Sequence, residues 1–274
     1  MKSFKIATII LSVFILSTGN ILAAEKTYRT IQNISYYPEK VSGQDKYIAD
    51  RCKLDIYYPE KTTGATVVVW FHGGGLSGGE KELPAALRNK DICVVGVNYR
   101  LTPKVQVNDC VNDAAAAVAW VFENIEKYGG DPNRIFVSGH SAGGYLAAMV
   151  GLDKSRLGLY GIDANKIAGL VPFSGQMITH FAERNSRGIK DTQPIVDALA
   201  PLFHVRADAA PMLLITGDRE LEMLGRYEEN AYMMRMMKVC GHKNTRLLDI
   251  QGYGHVMGDP AFPLLLQFIR QTKR

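Results

Sequence analysis

The stretch Arg134-Ile-Phe-Val-Ser-Gly-His-Ser141-Ala-Gly-Gly-Tyr-Leu-Ala-Ala-Met149 decides how this chain is read. Arg134 to Ser138 reads as a strand, and Ala142 to Met149 reads as a helix. Between them Gly139-His140-Ser141-Ala142-Gly143 fits G-x-S-x-G. The pattern alone is weak, because short Gly/Ser strings recur by chance. Its position on a sharp strand-to-helix turn gives it meaning. A serine there projects its hydroxyl from the end of the sheet, and glycine on each flank lets the neighbouring elements approach. The helix N-terminus adds free N–H groups and a partial positive charge suited to a developing oxyanion.

Working outward, the same alternation continues. Extended runs are expected at 28–37, 53–58, 66–71, 92–97, 134–138, 167–173, 212–216 and 245–250. Val67-Val-Val-Trp-Phe71, Ile92-Cys-Val-Val-Gly-Val97 and Met212-Leu-Leu-Ile215 are continuously apolar, as strands covered on both faces require. Helices are expected at about 109–128, 142–152, 222–241 and 260–272. The pattern predicts an α/β fold: a mostly parallel eight-stranded sheet with helices on both faces. The first two strands lack an intervening helix, which predicts an antiparallel start.

A serine hydroxyl needs a base, and the base needs an orienting carboxylate. Of six histidines, His255 in Gly252-Tyr-Gly-His-Val256 follows the last strand, which places it at the same sheet edge as Ser141. His180, His204 and His242 fall in irregular or terminal segments and are expected to be exposed. The acid is expected after the strand 212–216, where Gly217-Asp218-Arg219-Glu220 offers two candidates, Asp218 and Glu220. His72-Gly73-Gly74-Gly75 follows the strand 66–71, and the N–H groups of Gly73 and Gly74, with that of Ala142, are candidate oxyanion donors. A phosphate loop would need G-x-x-x-x-G-K-[ST], which is missing here. His72 reads as a loop brace.

Taken together, His72-Gly-Gly-Gly75, Asn98-Tyr-Arg-Leu-Thr-Pro103, Gly130-Asp-Pro-Asn-Arg134, Gly139-His-Ser-Ala-Gly-Gly144 and Gly254-His255 resemble the HGGG-type α/β-hydrolase esterases. These include the hormone-sensitive-lipase-like and carbohydrate-esterase-like enzymes, and the resemblance spans about residues 50–272. It implies an α/β-hydrolase fold and an acyl-enzyme mechanism on carboxylic esters. It also implies an acid three residues after the small residue closing the strand, which favours Glu220 and leaves Asp218 in reserve. Asp113 is expected to be an ion-pair residue and the Met233-Met-Arg-Met-Met237 run a core helix face. Leu76 stands where such relatives often carry an aromatic.

The chain of 274 residues carries a net charge of +5. Its start has two lysines, an apolar run over residues 6–16 and small residues ending at Ala24, the order of a secretory signal peptide. Residues 1–24 are therefore expected to be removed, leaving one α/β-hydrolase domain over 25–274, secreted or periplasmic, without integral membrane association. Removing two lysines lowers the net charge to +3, and no block of like charges suggests a nucleic-acid surface. Four scattered cysteines without CxxC pairing give no metal site, and no cofactor is implied. The expected partner is a small-molecule or glycan ester, with acetyl or feruloyl esters on carbohydrates suiting an export signal and a minimal cap. Competing readings are an arylformamidase-like amide hydrolase or peptidase, and a catalytically silent binding module.

Overall fold

Residues Val67 to Phe71 alternate between the two faces of the sheet, and no solvent reaches either side. Val67, Val69 and Phe71 join one core, while Val68 and Trp70 join the other. The computed structural model describes Met1, residues 26–223 and residues 225–272. The expected signal segment, Met1 apart, lies outside the described residues.

Eight strands form one sheet: β1 (Tyr28–Ser35), β2 (Lys53–Pro59), β3 (Ala65–Phe71), β4 (Ile92–Val97), β5 (Gly130–His140), β6 (Gly169–Phe173), β7 (Met212–Gly217) and β8 (Thr245–Ile250). Their order is β1-β2-β4-β3-β5-β6-β7-β8. β1 and β2 are antiparallel, as is the β2–β4 pair, and the remainder run parallel. Every residue of β3, β4, β6 and β7 is buried. Fully burying one Val or Leu contributes about 1.5–3 kcal/mol, so these four strands are the fold's main anchor.

The helices are α1 (Glu39–Ser42), α2 (Lys46–Arg51), α3 (Val107–Asn124), α4 (Ala142–Leu152), α5 (Lys154–Gly158), α6 (Phe181–Ser186), α7 (Arg226–Val239) and α8 (Gly258–Gln271). Helices α3, α4 and α7 cover one face through residues such as Val111, Leu146 and Met233. Helix α8 covers the other through Leu265 and Phe268. Met233 and Met237 are buried, so the methionine run does serve the core. Asp113 is fully buried and binds the Arg100 guanidinium at 2.8 Å from two nitrogens. Cys52, Cys93 and Cys110 are buried, and all four cysteines are free thiols.

Three histidines depart from expectation. His180 and His242 are buried and His204 is half-buried, none of them exposed. His180 packs against Tyr145 and Phe181, and its Nδ1 accepts from the Ala182 N–H. His242 sits 2.7 Å from the Thr245 hydroxyl and 3.0 Å from the Ala209 carbonyl. Local composition suggested solvent, but Tyr145 of α4 and Phe181 cover His180, and His242 turns inward onto Thr245 and Ala209.

Candidate active site

The carboxyl ends of β3, β5, β6, β7 and β8 meet at one edge of the sheet, where ligand sites of open α/β sheets form. Ser141 lies between β5 and α4 at φ 57° and ψ −115°, outside the regions comfortable for an L-residue. The surroundings enforce this turn. A Cβ on Gly143 would lie 2.0 Å from the Phe71 carbonyl oxygen, so only glycine lets α4 approach β3 this closely. The Ser141 N–H donates to the Phe173 carbonyl at 2.8 Å, which pins the elbow to the end of β6.

The loop after β3 passes directly over this elbow. A Cβ on Gly73 would stand 3.5 Å from that of Ser141. Gly74 has φ 105° and faces the Gly78 carbonyl so closely that a Cβ would lie 2.3 Å from its oxygen. Among the described residues, no acceptor takes the N–H of Gly73, Gly74 or Ala142. His72 braces the loop as expected: it stacks on Tyr99 with centroids 4.4 Å apart, and its Nδ1 lies 2.6 Å from the Gly73 carbonyl. Burial pushes this ring down to about 4, so it remains neutral. Arg51 ties the loop down from outside through Glu80 and the Gly79 and Tyr99 carbonyls. Leu76 is fully buried and packs in the core.

His255 lies in the loop between β8 and α8, with 22% of its side chain exposed. Its carbonyl accepts from His140 Nε2 at 2.8 Å, and the two ring centroids lie 4.7 Å apart. His140, the variable residue of the elbow, thus joins the serine turn to the histidine loop. Burial pushes the His140 ring downward, which favours its neutral form.

The carboxylate beside His255 is neither candidate read from the sequence. Glu222, whose side chain is fully buried, places Oε2 3.0 Å from His255 Nδ1. Asp218 turns away: its carboxylate accepts from the Glu220 N–H and the Gly252 N–H, each at 3.0 Å. Glu220 is exposed and lends only that N–H. The reason is one additional turn. Asp218 caps a bend in which the Leu221 and Glu222 N–H groups return to its carbonyl. Gly225, at φ 73°, then starts α7 at Arg226 rather than at 222. Glu222 is therefore delivered five residues beyond Gly217, not three. No local signal marks this, because the turn is held by contacts to the 252–253 loop.

Glu222 is heavily bonded. Oε1 accepts from Ser174 Oγ and, at 3.2 Å, from the Gly217 N–H. Oε2 accepts from the Met223 N–H at 2.7 Å as well as facing His255. Burial pushes the carboxyl upward, but the bonds from His255, Ser174 and Met223 outweigh it and hold it down at about 2. The acid is thus a fixed anion.

Beside the oxyanion loop runs a cleft of about 620 Å³. Gly75, Ser77, Gln106, Phe181, Glu183 and Asn185 are among its walls. A Cβ on Gly75 would meet the Phe181 ring at 2.9 Å, so α6 closes tightly on the loop.

An eight-stranded sheet in this order, with a strained serine elbow after β5 and a histidine after β8, defines an α/β hydrolase. Residues 54–175 match the family model described as BD-FAE. The chain is 38% identical over 116 residues to isoprenylcysteine alpha-carbonyl methylesterase ICME of Arabidopsis thaliana, covering 40% of this chain and 27% of that protein. It is 40% identical over 101 residues to carboxylesterase NlhH of Mycobacterium tuberculosis, covering 35% and 32%. The chain thus spans about a third or less of the curated relatives it matches. A truncated carbohydrate esterase from gut microbiota superimposes with a TM-score of 0.72 at 18% identity, covering 91% of this chain and 98% of that one. That likeness concerns the fold. The resemblance to HGGG-type α/β-hydrolase esterases holds across these comparisons.

Proposed function

We propose that this protein is a serine carboxylic-ester hydrolase in which Ser141, His255 and Glu222 form the catalytic triad. The observation that carries the reading is the His255 ring, held on a buried, anionic Glu222 at the sheet edge that presents the strained Ser141. The Ser141 hydroxyl makes no hydrogen bond among the described residues, and catalytic contacts often tighten only when substrate binds.

In the proposed reaction, His255 Nε2 takes the Ser141 proton as Oγ attacks the ester carbonyl. Nδ1–H stays on Glu222, which fixes the tautomer and stabilises the imidazolium. The oxyanion rests on the N–H groups of Gly73, Gly74 and Ala142. His255 then gives its proton to the leaving alcohol, leaving an acyl-Ser141. Water, deprotonated by the same ring, releases the acid and restores the serine.

The cleft supports a glycan ester as the substrate. Ser77, Gln106, Glu183 and Asn185 offer hydroxyl partners, while Phe181 gives a flat apolar wall against which a sugar ring or an aryl acyl group can lie. The leader-like sequence over residues 1–24 supports export, so mature protein from the native host should begin near Glu25. A panel of acetyl-xylan, feruloyl, short-chain lipid and formyl-anilide substrates tests the assignment. Turnover of the glycan esters, abolished by Ser141→Ala, is expected. Cleavage of the anilide alone would transfer the protein to the amide hydrolases, and no turnover of any substrate would leave a binding module.

A further inference from the structure

Beyond the triad, we infer that Ser174 is a fourth, positioning member of the catalytic machinery, its hydroxyl locking the His255 ring and the Glu222 carboxylate together. The inference rests on the acyl-transfer reading above for its kinetic consequence and on geometry for its existence.

Ser174 is the first residue after β6, and its backbone has φ 47°, a left-handed conformation that a non-glycine residue seldom adopts. Three contacts hold it there. Its N–H donates to the Ile215 carbonyl at 2.6 Å, its carbonyl accepts from Arg226 Nη1, and the next carbonyl, of Gly175, accepts from Asn230 Nδ2 at 2.9 Å. In consequence the side chain is fully buried and inserted between acid and base. Its Oγ donates to Glu222 Oε1 and lies 3.0 Å from His255 Nδ1. The Nδ1–H therefore faces two acceptors, Glu222 Oε2 and Ser174 Oγ, each at 3.0 Å.

The proton count fits this triangle. The single Ser174 proton goes to the carboxylate, which leaves an oxygen lone pair for the Nδ1–H. When His255 gains the Ser141 proton, the same lone pair shares the new positive charge. Because Glu222 is gripped on both oxygens, the ring cannot rotate about its Cβ–Cγ bond without breaking two contacts at once. Ser174 does not touch the cleft, so its effect belongs in kcat rather than KM.

Glycine and alanine variants separate the hydroxyl from the backbone. Ser174→Gly adopts positive φ without strain and keeps every backbone bond; Ser174→Ala keeps the strain. Both should lower kcat on p-nitrophenyl acetate by about 10- to 100-fold, the scale of one lost hydrogen bond to a charged group, with KM within about twofold. In the proton NMR spectrum of the full chain, the His255 Nδ1–H resonance should move upfield or broaden in both. Loss in Ser174→Ala with wild-type kcat and resonance in Ser174→Gly would reduce the residue to a backbone role and overturn the inference. Should alanine prevent folding, the glycine variant decides alone. The resonance needs no turnover, so it still tests Ser174 if the wild-type chain hydrolyses no ester and the functional reading itself fails.

Discussion

Replacing Glu222 by glutamine changes one atom and should almost silence the enzyme. The carboxylate accepts four hydrogen bonds, two on each oxygen: Ser174 Oγ and the Gly217 N–H on one, the Met223 N–H and His255 Nδ1 on the other. A glutamine has one oxygen and must aim its NH₂ at the remaining pair. If the NH₂ faces His255, the ring accepts at Nδ1 and carries its proton on Nε2, so it cannot act as base. If it faces Gly217, two N–H donors collide in a buried site and the anion that stabilises the imidazolium is still gone. Removal of the corresponding charge in the best-studied triad costs about 10⁴ in kcat, equivalent to about 5.5 kcal/mol of barrier. We expect a loss of about 10³–10⁴ in kcat/KM here. The assay is p-nitrophenyl acetate hydrolysis by purified variants, with circular dichroism confirming the fold. Asp218→Asn and Glu220→Gln should each stay within about threefold of wild type, since neither carboxylate meets the ring. Glu222→Gln within tenfold of wild type, or a larger loss in Glu220→Gln, would refute the reasoning.

Gly143→Ala should destabilise the protein by about 1–3 kcal/mol or more through forced overpacking against the Phe71 carbonyl. A thermal midpoint equal to wild type would show that the elbow yields. Acid should weaken the fold from about pH 6.5 down to the folded values of the two buried rings, about 4 for His72 and about 3 for His180. Burial lowers His72 from 6.5 to about 4 and His180 from 6.5 to about 3, so the unfolded chain takes up protons that the folded chain refuses. The effect of these two rings is therefore flat above about pH 6.5 and stability is lost on acidification, by about 2 kcal/mol per ring at about pH 5. Glu222 adds a loss of the same sign at lower pH: its contribution is complete above about pH 4.5 and disappears only as pH falls towards its folded value of about 2. Denaturant titrations at stepped pH check the order, and His180→Gln should remove part of the upper loss.

Much of this was legible in the sequence because the relevant physics is local. Val67 to Phe71, Ile92 to Val97 and Met212 to Ile215 read as strands because a sheet buried on both faces leaves no polar positions. The elbow read correctly because the G-x-S-x-G spacing marks the turn by itself, Gly139 meeting Gly143 four residues on, although Gly143 is also demanded by the distant Phe71 carbonyl. His255 followed from strand order alone. The acid did not, because its position depends on how many turns separate β7 from α7. That number is set by the Asp218 bond to the Gly252 N–H, 34 residues away. The same holds for Ser174, whose importance comes from β6 and β7 lying side by side, and for His180 and His242, whose burial is a matter of what folds over them.

The claim on which the rest depends is that Ser141 is the activated nucleophile. Incubation of the full chain with a fluorophosphonate, followed by intact mass and peptide mapping, tests it directly. The account predicts a single phosphonyl adduct on Ser141, formed in step with the loss of ester turnover, absent in Ser141→Ala and strongly slowed in Glu222→Gln. An adduct on another residue, or full ester turnover by a chain fully modified at Ser141, would contradict it.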